Sequence, residues 1–184
     1  MSENEAYLNL PIPQDDGATN HLTGLKLPNI KLPSTSGSIV DLAELTKVPT
    51  IIYCYPATGK PNEDPAPNWD NIPGAPGCTI QSLNFKELYQ SFIALNYQIF
   101  GMSSQSHVEQ QAFSEKQSIP FPLLSDEALH VTKQLKLPYF QVNNQIFIKR
   151  HTLVIHEQKI IKVFYPIFPA HLHAQELLDW LKSI

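Results

Sequence analysis

Apolar positions along the chain switch between a two-residue period and a helical period, and the switches mark the predicted elements. Residues 25–42 form two short alternating stretches broken by Ser and Gly, which predicts a hairpin. Residues 51–55 are a continuous apolar run closed by Pro56, which predicts a strand buried on both faces. From Cys78 to about residue 96 the spacing of apolar residues predicts a helix, whose apolar positions are Phe85, Leu88, Tyr89 and Phe92.

The second half of the chain continues the alternation of strands and helices. Residues 97–104 and 121–126 are predicted strands, and between them Ser106 and Glu109 form a capping-box pair that opens a helix ending near Gln117. A short helix is predicted near residues 127–135. Residues 145–166 are predicted as two strands around a turn at Glu157–Gln158. A last helix follows, with an apolar stripe of Ala174, Leu177, Leu178 and Leu181. This order predicts an α/β fold, a sheet covered by helices on both faces.

The length of 184 residues fits one domain. Residues 1–24 show no sustained period and are predicted to be an N-terminal tail or a draped segment, which leaves residues 25–184 as the domain. Residues 57–77 contain five prolines, so they cannot form a helix or a central strand. A loop of this length inside a compact domain is usually functional or disordered.

Charge and composition exclude several classes of function. The net charge is −4 without a basic block, which disfavours binding to nucleic acid. There is no apolar run of about 18 residues, so no membrane span is expected. The acidic N-terminus lacks the features of a signal peptide, which predicts a cytoplasmic protein with reduced thiols.

One of the two cysteines stands where chemistry is expected. Cys78 follows a Pro/Gly turn and opens the predicted helix, and the N–H groups and dipole of a helix N-terminus favour a thiolate over a thiol. Thr79 follows it and is able to form local hydrogen bonds, and Gln81 lies one turn further along the same side. The alternative is a buried cysteine that packs as a small apolar residue.

Only one of the thirteen basic residues is an arginine, Arg150. A single arginine in a lysine-rich chain indicates a position that needs the rigid, planar set of N–H donors of a guanidinium. The alternative is that it only reflects the lysine-rich composition. Close to Cys78 it would stabilise a thiolate and orient an incoming oxygen.

These residues lie in stretches that resemble the peroxiredoxin family, and among its members the bacterioferritin-comigratory or peroxiredoxin Q type. The stretches are PGCTIQ, IFGMSSQSHVEQQAFSEKQSIPFPLLSD and KRHTLVIHEQKIIKVF, and the resemblance covers about residues 25–182. It implies a thioredoxin-like fold with a mixed central sheet, and the reduction of hydrogen peroxide or alkyl hydroperoxides. The reaction that the resemblance implies needs no cofactor or metal.

The resemblance also implies roles for individual residues. Cys78 matches the peroxidatic cysteine, and Arg150 matches the family arginine. Gln81 matches the residue that helps to hold that arginine, and Pro56 matches the proline of the family's Tyr-Pro pair. Thr79 has a supporting role next to the cysteine.

The chain departs from the family pattern in three places. Ala75 stands three residues before the cysteine, where the family has Thr or Ser; Thr79 or Thr58 would have to supply the missing hydroxyl. Asn71 replaces a proline seven residues before the cysteine. Because Pro56 lies twenty-two residues before it, the loop 57–77 carries an insertion of about fifteen residues. It would form a lid, a partner surface or only a tolerated loop, with its Trp69 as a pocket wall or an anchor.

The third departure is Leu83, which occupies the position of a resolving cysteine in this family type. Cys54, inside a predicted central strand, is expected to pack in the core and only as the lesser alternative to act as the resolver. The chain is therefore predicted to be a one-cysteine peroxidase, either a monomer or a homodimer. Its oxidised cysteine would be reduced by an external thiol: thioredoxin, glutaredoxin or a small thiol.

An alternative function stays open, and a metal site at the last helix is only weakly indicated. Ala75 and the absent resolving cysteine favour an alternative function, a catalytically weak redox sensor or binding module. His171 and His173 open the last predicted helix with a spacing unsuited to metal binding on a helix, so both are predicted to be solvated.

Overall fold

The computed structural model describes residues 9–60 and 62–184. In this part of the chain the strands are β1 (Lys31–Pro33), β2 (Ile39–Asp41), β3 (Thr50–Cys54), β4 (Gln98–Ser103), β5 (Leu123–Ser125), β6 (Tyr139–Val142), β7 (Gln145–Ile148), β8 (His151–His156) and β9 (Lys159–Phe164). The α-helices are α1 (Leu42–Leu45), α2 (Cys78–Glu87), α3 (Tyr89–Ala94), α4 (His107–Gln117), α5 (His130–Leu135) and α6 (His173–Ser183). Short 3-10 turns cover Trp69–Asn71 and Ala170–Leu172.

The central sheet has the strand order β5-β4-β3-β8-β9 and is mixed. Strand β3 pairs in parallel with β4 and antiparallel with β8, so it is the middle strand. All five of its residues are buried, which confirms the prediction of a strand covered on both faces. Its alternating side chains divide the core: Ile52 and Cys54 join the cluster on one face, Ile51 and Tyr53 the cluster on the other.

Helices cover both faces, as predicted. Helices α1 and α5 contribute to the cluster of Cys54, and α2, α3, α4 and α6 contribute to the cluster of Cys78. The capping box at Ser106 and Glu109 is present with both of its hydrogen bonds and opens α4. The predicted stripe of α6 is buried, which fixes the last helix on the sheet.

Residues 9–24 run along the domain, and the first eight residues of the predicted tail lie outside the described residues. Leu22 is fully buried in the core, and Gly24 donates a backbone hydrogen bond to the carbonyl oxygen of Ile160. The boundary between residues 24 and 25 stays a prediction.

Two predicted elements are divided in the structure. The helix from Cys78 ends at Glu87, and α3 starts again after Leu88. The predicted strand from residue 145 is interrupted at residues 149 and 150, because β7 turns back on β6 through Asn143 and Asn144. Both asparagines have positive φ, the conformation that a two-residue hairpin turn requires and that Asn tolerates. The turn at Glu157–Gln158 between β8 and β9 is where it was predicted.

Candidate active site

Cys78 is the first residue of α2, and its sulfur lies at the helix N-terminus. Gly77 before it has φ 101°, a left-handed conformation that residues with a Cβ rarely adopt. The first N–H groups of a helix have no acceptor within the helix, so those of α2 are free to interact with groups at its N-terminus, where Cys78 lies. The cysteine is 4% exposed. This placement favours negative charge on the sulfur.

Arg150 stands between β7 and β8, and its guanidinium reaches back to the start of α2. Its Nη2 lies 3.1 Å from the Cys78 Sγ and donates to the carbonyl oxygens of Ala75 and Pro76, each at 3.0 Å. Its Nη1 donates to the Oε1 of the fully buried Gln81. A buried charge is costly unless it is well hydrogen-bonded, and these acceptors hold the guanidinium beside the sulfur.

Arg150 and Gln81 each carry one buried N–H donor that has no acceptor among the described residues: the Nε of Arg150 and the Nε2 of Gln81. An unsatisfied buried donor costs about 1–3 kcal/mol. The hydrogen-bonding capacity of Arg150 and Gln81 is therefore not fully used within the described residues.

A cavity of about 310 Å³ lies in front of Cys78. The start of α2 forms one side, and the insertion forms the other through Gly59, Asp64, Pro65, Trp69 and Asp70. Trp69 is 4% exposed, and its ring lies 5.1 Å from that of Phe147 and 5.9 Å from that of Phe140. The tryptophan therefore walls the cavity and also anchors the insertion on the β6–β7 hairpin.

Of the two threonines considered as replacements for the missing hydroxyl, only Thr79 lines this cavity. Thr58 is held elsewhere by the buried Gln105, whose Oε1 accepts from the Thr58 N–H at 2.9 Å and whose Nε2 donates to the Thr58 carbonyl oxygen at 3.1 Å. Ala75 is fully buried and its carbonyl oxygen, not its side chain, contacts the site. Pro56 is buried at the end of β3 and does not line the cavity.

Cys54 and Cys78 belong to core clusters on opposite faces of the central sheet, and both are free thiols. Burial raises the pKa of Cys54 well above its ordinary value, so this thiol stays protonated. Leu83 lies on α2 and is partly buried. The interpretation of Cys54 as a core residue agrees with this placement.

The site is supported by residues that sequence reasoning missed. Tyr53 donates to Ser82 at 3.0 Å beneath α2, and burial raises the pKa of this phenol. Gln105 fixes the first turn of the insertion, as described above. Tyr53 lies in an apolar run and Gln105 lies among polar residues, and only tertiary pairing gives either of them this role. Neither position carries a local sequence signal for it.

The prediction that His173 is solvated is wrong. Its side chain is 1% exposed, and its Nε2 lies 2.9 Å from the Thr152 hydroxyl. The last helix packs its N-terminal turn onto the sheet, and burial lowers the pKa of this histidine. His171 is half-buried. Within the described residues, no group of three or more His, Cys, Asp or Glu side chains is placed to hold a metal ion.

On the other side of Arg150, residues near the N-terminus close over the site. Asp16 accepts from the Lys149 Nζ and from the Tyr165 hydroxyl, both at 2.8 Å. The hydrogen bond from Lys149 is the main reason that the pKa of Asp16 falls to about 2. These bonds tie Asp16 to Lys149, the residue before Arg150, and to Tyr165.

The redoxin family model matches residues 22–179, which is most of the chain. The chain belongs to the redoxin family. It is 28% identical to the chloroplastic peroxiredoxin Q of Sedum lineare over 161 residues, covering 85% of this chain and 76% of the relative. A putative peroxiredoxin bcp of Coxiella burnetii is 27% identical over 164 residues, covering 86% of this chain and 97% of that protein.

Solved structures give the same result for the fold. The crystal structure of peroxidoxin BcpB from Mycobacterium tuberculosis superposes with a TM-score of 0.72 and 26% identity, covering 89% of this redoxin and 99% of that chain. The predicted thioredoxin-like fold and the resemblance to peroxiredoxins are therefore confirmed, and with them the prediction of a thiol-dependent peroxidase.

Proposed function

We propose that Cys78 is the peroxidatic cysteine of this redoxin and that Arg150 is its catalytic partner. The observation that carries the proposal is the 3.1 Å contact between the Arg150 Nη2 and the Cys78 Sγ at the start of α2. A guanidinium and a helix N-terminus on one sulfur both stabilise its thiolate, which is the nucleophilic form of cysteine.

The chemistry is a two-electron reduction of a hydroperoxide. The Cys78 sulfur attacks the nearer peroxide oxygen, the O–O bond breaks, and the electron pair leaves with the second oxygen, which takes up a proton to form water or an alcohol. Arg150 stabilises the charge that develops on the leaving oxygen. Cys78 becomes a sulfenic acid, and two external thiols return it to the thiolate, releasing water and a disulfide.

Gln81 and Thr79 support this reaction in different ways. Gln81 accepts a hydrogen bond from Arg150 and thereby positions the guanidinium. Thr79 lines the cavity next to the sulfur, and we expect its hydroxyl to bond to a peroxide oxygen. The substrate class that we propose is hydrogen peroxide and alkyl hydroperoxides.

Stopped-flow oxidation of the reduced protein by excess hydrogen peroxide tests the proposal. Arg150→Lys keeps the charge but loses the fork that binds the sulfur, Gln81 and two carbonyls at once. Loss of one charge-assisted hydrogen bond in the transition state, about 1.5–3 kcal/mol, lowers the rate tenfold to about a hundredfold. Cys78→Ala abolishes the reaction. A wild-type rate equal to that of a free thiol, unchanged in Arg150→Lys, would contradict the proposal.

Ala75 favours a second candidate, a redox sensor or binding module with weak catalysis. The buried methyl group of Ala75 supplies no hydrogen bond where the family has a hydroxyl. A turnover assay with hydrogen peroxide and excess dithiothreitol separates the two functions, because a sensor would be oxidised once and would not consume peroxide over multiple turnovers.

For location and assembly we propose a cytoplasmic protein that is a monomer or a homodimer. Free cysteines are consistent with a reducing compartment. No helix within the described residues is long and apolar enough to cross a membrane. Cell fractionation and light scattering test these points, and the chloroplast of the plant relatives is the alternative location.

A further inference from the structure

A second cavity, of about 350 Å³, lies next to Arg150 and does not include Cys78 in its lining. We call it the outer cavity. Residues 12–16 supply one part of its wall and the end of the insertion another. Its size is in the range of sites for small organic ligands, which are mostly apolar. The apolar side chains of this lining include Ile12, Ile72, Pro73, Phe140, Pro166 and Ile167.

A much smaller cavity, of about 10 Å³, joins the outer cavity to the cavity of Cys78. It shares Leu10 and Pro76 with the cavity of Cys78, and it shares Arg150 and Ile167 with the outer cavity. The three cavities therefore form a row that starts at the reactive sulfur and passes the guanidinium. The middle cavity has room for about one water molecule. Its width suits a chain of methylene groups and not a branched or aromatic group.

The charged side chains in the lining of the outer cavity are already paired. Asp16 accepts from the Lys149 Nζ at 2.8 Å, and Arg150 is bonded to the sulfur and to three oxygens. Ile12, in contrast, is a large apolar side chain that is 61% exposed. It would lose contact with water if an apolar group entered beside it, which is favourable. The outer cavity is therefore suited to an uncharged, apolar group.

We propose that the outer cavity holds the organic group of a hydroperoxide substrate, and that Leu10 and Ile12 select unbranched chains. The proposal rests on Cys78 being the peroxidatic cysteine. The Cys78 thiolate attacks the terminal peroxide oxygen and the O–O bond breaks. The oxygen that carries the chain leaves with the electron pair, takes up a proton and departs as an alcohol. The chain is attached to the leaving oxygen, so it extends away from the sulfur, along the row of cavities.

Hydroperoxides that differ in the organic group test the selection. Stopped-flow oxidation of the reduced protein is measured with ethyl, n-octyl and cumene hydroperoxide, and each rate constant is divided by that of the same hydroperoxide with the amino acid cysteine. The n-octyl value should exceed the ethyl value at least about tenfold, because each buried methylene group gives up to about a fourfold gain, part of which is lost in ordering the chain. Cumene hydroperoxide, which is branched next to the oxygen, should gain nothing over ethyl hydroperoxide. Equal values for all three would overturn the proposal.

Ile12→Asp is the decisive variant for the outer cavity. It places a carboxylate beside the chain and should bring the n-octyl value to within about threefold of the ethyl value. The matched control is Ile39→Asp, because Ile39 is 64% exposed on β2 and lines none of the three cavities. The control should keep the wild-type ratio. A wild-type ratio in Ile12→Asp as well would overturn the proposal.

Leu10→Ala tests the passage between the cavities. Removing the branched side chain widens the middle cavity, so the value for cumene hydroperoxide should rise about tenfold, the usual size of a steric effect in an apolar pocket. Leu25→Ala is its control, since Leu25 is also an exposed leucine near the N-terminus but lines none of the three cavities. If cumene hydroperoxide stays as slow in Leu10→Ala as in the wild type, Leu10 does not select unbranched chains.

Binding of 1-octanol, the alcohol formed from n-octyl hydroperoxide, tests the site without peroxide chemistry. In a Cys78→Ala protein, 1-octanol should shift the methyl NMR signals of Ile72 and Ile167, which line the outer cavity, and not that of the core residue Ile99. Ethanol at the same concentration should shift none of them. These shifts together with an unreactive Cys78 in the wild type contradict only the peroxidase function. Rapid oxidation by hydrogen peroxide without these shifts contradicts only the outer cavity as a substrate site.

Discussion

Ala75 is the residue at which this site differs most clearly from the pattern that the sequence resembles. It lies three residues before Cys78, and its carbonyl oxygen helps to hold Arg150 while its methyl group packs in a small cluster with Trp69 and Phe147. The backbone of this position therefore keeps its task in organising the arginine. What is missing is a side-chain hydroxyl beside the sulfur.

Ala75→Ser should increase the rate of Cys78 oxidation by hydrogen peroxide about tenfold. The added hydroxyl supplies a hydrogen bond to a charged group, which is worth about 1.5–3 kcal/mol, and its burial cancels part of the gain. The measurement is stopped-flow oxidation at several peroxide concentrations. Ala66→Ser adds a hydroxyl to the same buried cluster, but at a position twelve residues before Cys78 instead of three, and should leave the rate unchanged. An unaltered or slower rate in a folded Ala75→Ser protein would show that the hydroxyl is not what this site lacks.

Cys54 is the other residue whose part in the reaction can be isolated. Cys54→Ala should keep peroxide turnover with an external thiol within about twofold of the wild type, because the central sheet separates it from Cys78. The loss of stability should be about 1 kcal/mol, since a single buried sulfur is removed. Mass spectrometry of the oxidised wild type should show no disulfide within the chain. A disulfide between the two cysteines, or lost turnover in a folded Cys54→Ala protein, would make Cys54 a resolving cysteine.

At the scale of elements, the site depends on where α2 begins and where β8 begins. The start of α2 was predictable, because the Pro/Gly turn and the helical spacing after Cys78 are local signals. The start of β8 was not: residues 145–156 look like one strand, and only pairing with Tyr139–Val142 ends β7 before Arg150. That interruption is what places the guanidinium beside the sulfur.

The same limit applies to the polar supports of the site. Gln105 bonds to Thr58, which is 47 positions away in the sequence, and Tyr53 bonds to Ser82, which is 29 positions away. Burial of His173 depends on how α6 meets the sheet. Periodicity predicts which residues face the core, but it does not predict which polar groups meet there.

The insertion is the element with a distinct prediction. Its Trp69 belongs to a small cluster apart from the two main cores, so replacing it should loosen the loop and leave the domain folded. Trp69→Ala removes a large buried ring, which costs about 3–5 kcal/mol. Hydrogen exchange of amides in residues 62–72 should become at least about a hundredfold faster, while exchange in β3 is unchanged.

Trp180→Ala is the matched control for this experiment. Trp180 packs on Phe164 at the end of α6, away from the insertion, so its removal should affect exchange in α6 and not in the loop. Alkylation of Cys78 should become faster only in Trp69→Ala, because that ring walls the cavity. If the loop keeps its protection, the tryptophan is not its anchor.

For the whole molecule, the buried histidines set how stability depends on pH. His151 is fully buried in β8, its Nδ1 donates to the Lys149 carbonyl oxygen at 2.8 Å, and its Nε2 has no partner among the described residues. Protonation would place a charge in an apolar environment, so burial lowers the pKa of His151 to about 4. Burial lowers the pKa of His173 for the same reason.

Below the ordinary histidine pKa of 6.5 the unfolded chain therefore takes up protons that the folded chain does not bind, until the pH reaches about 4. Stability falls with pH across this window, and His151 alone should cost about 2 kcal/mol between pH 7 and pH 5. Urea unfolding at the two pH values measures this loss. His151→Gln should lose about 2 kcal/mol less than the wild type over the same interval, even if it is less stable at pH 7. His156→Gln, at the exposed end of the same strand, should lose as much as the wild type. Equal losses in all three proteins would mean that His151 is not the buried titrating group.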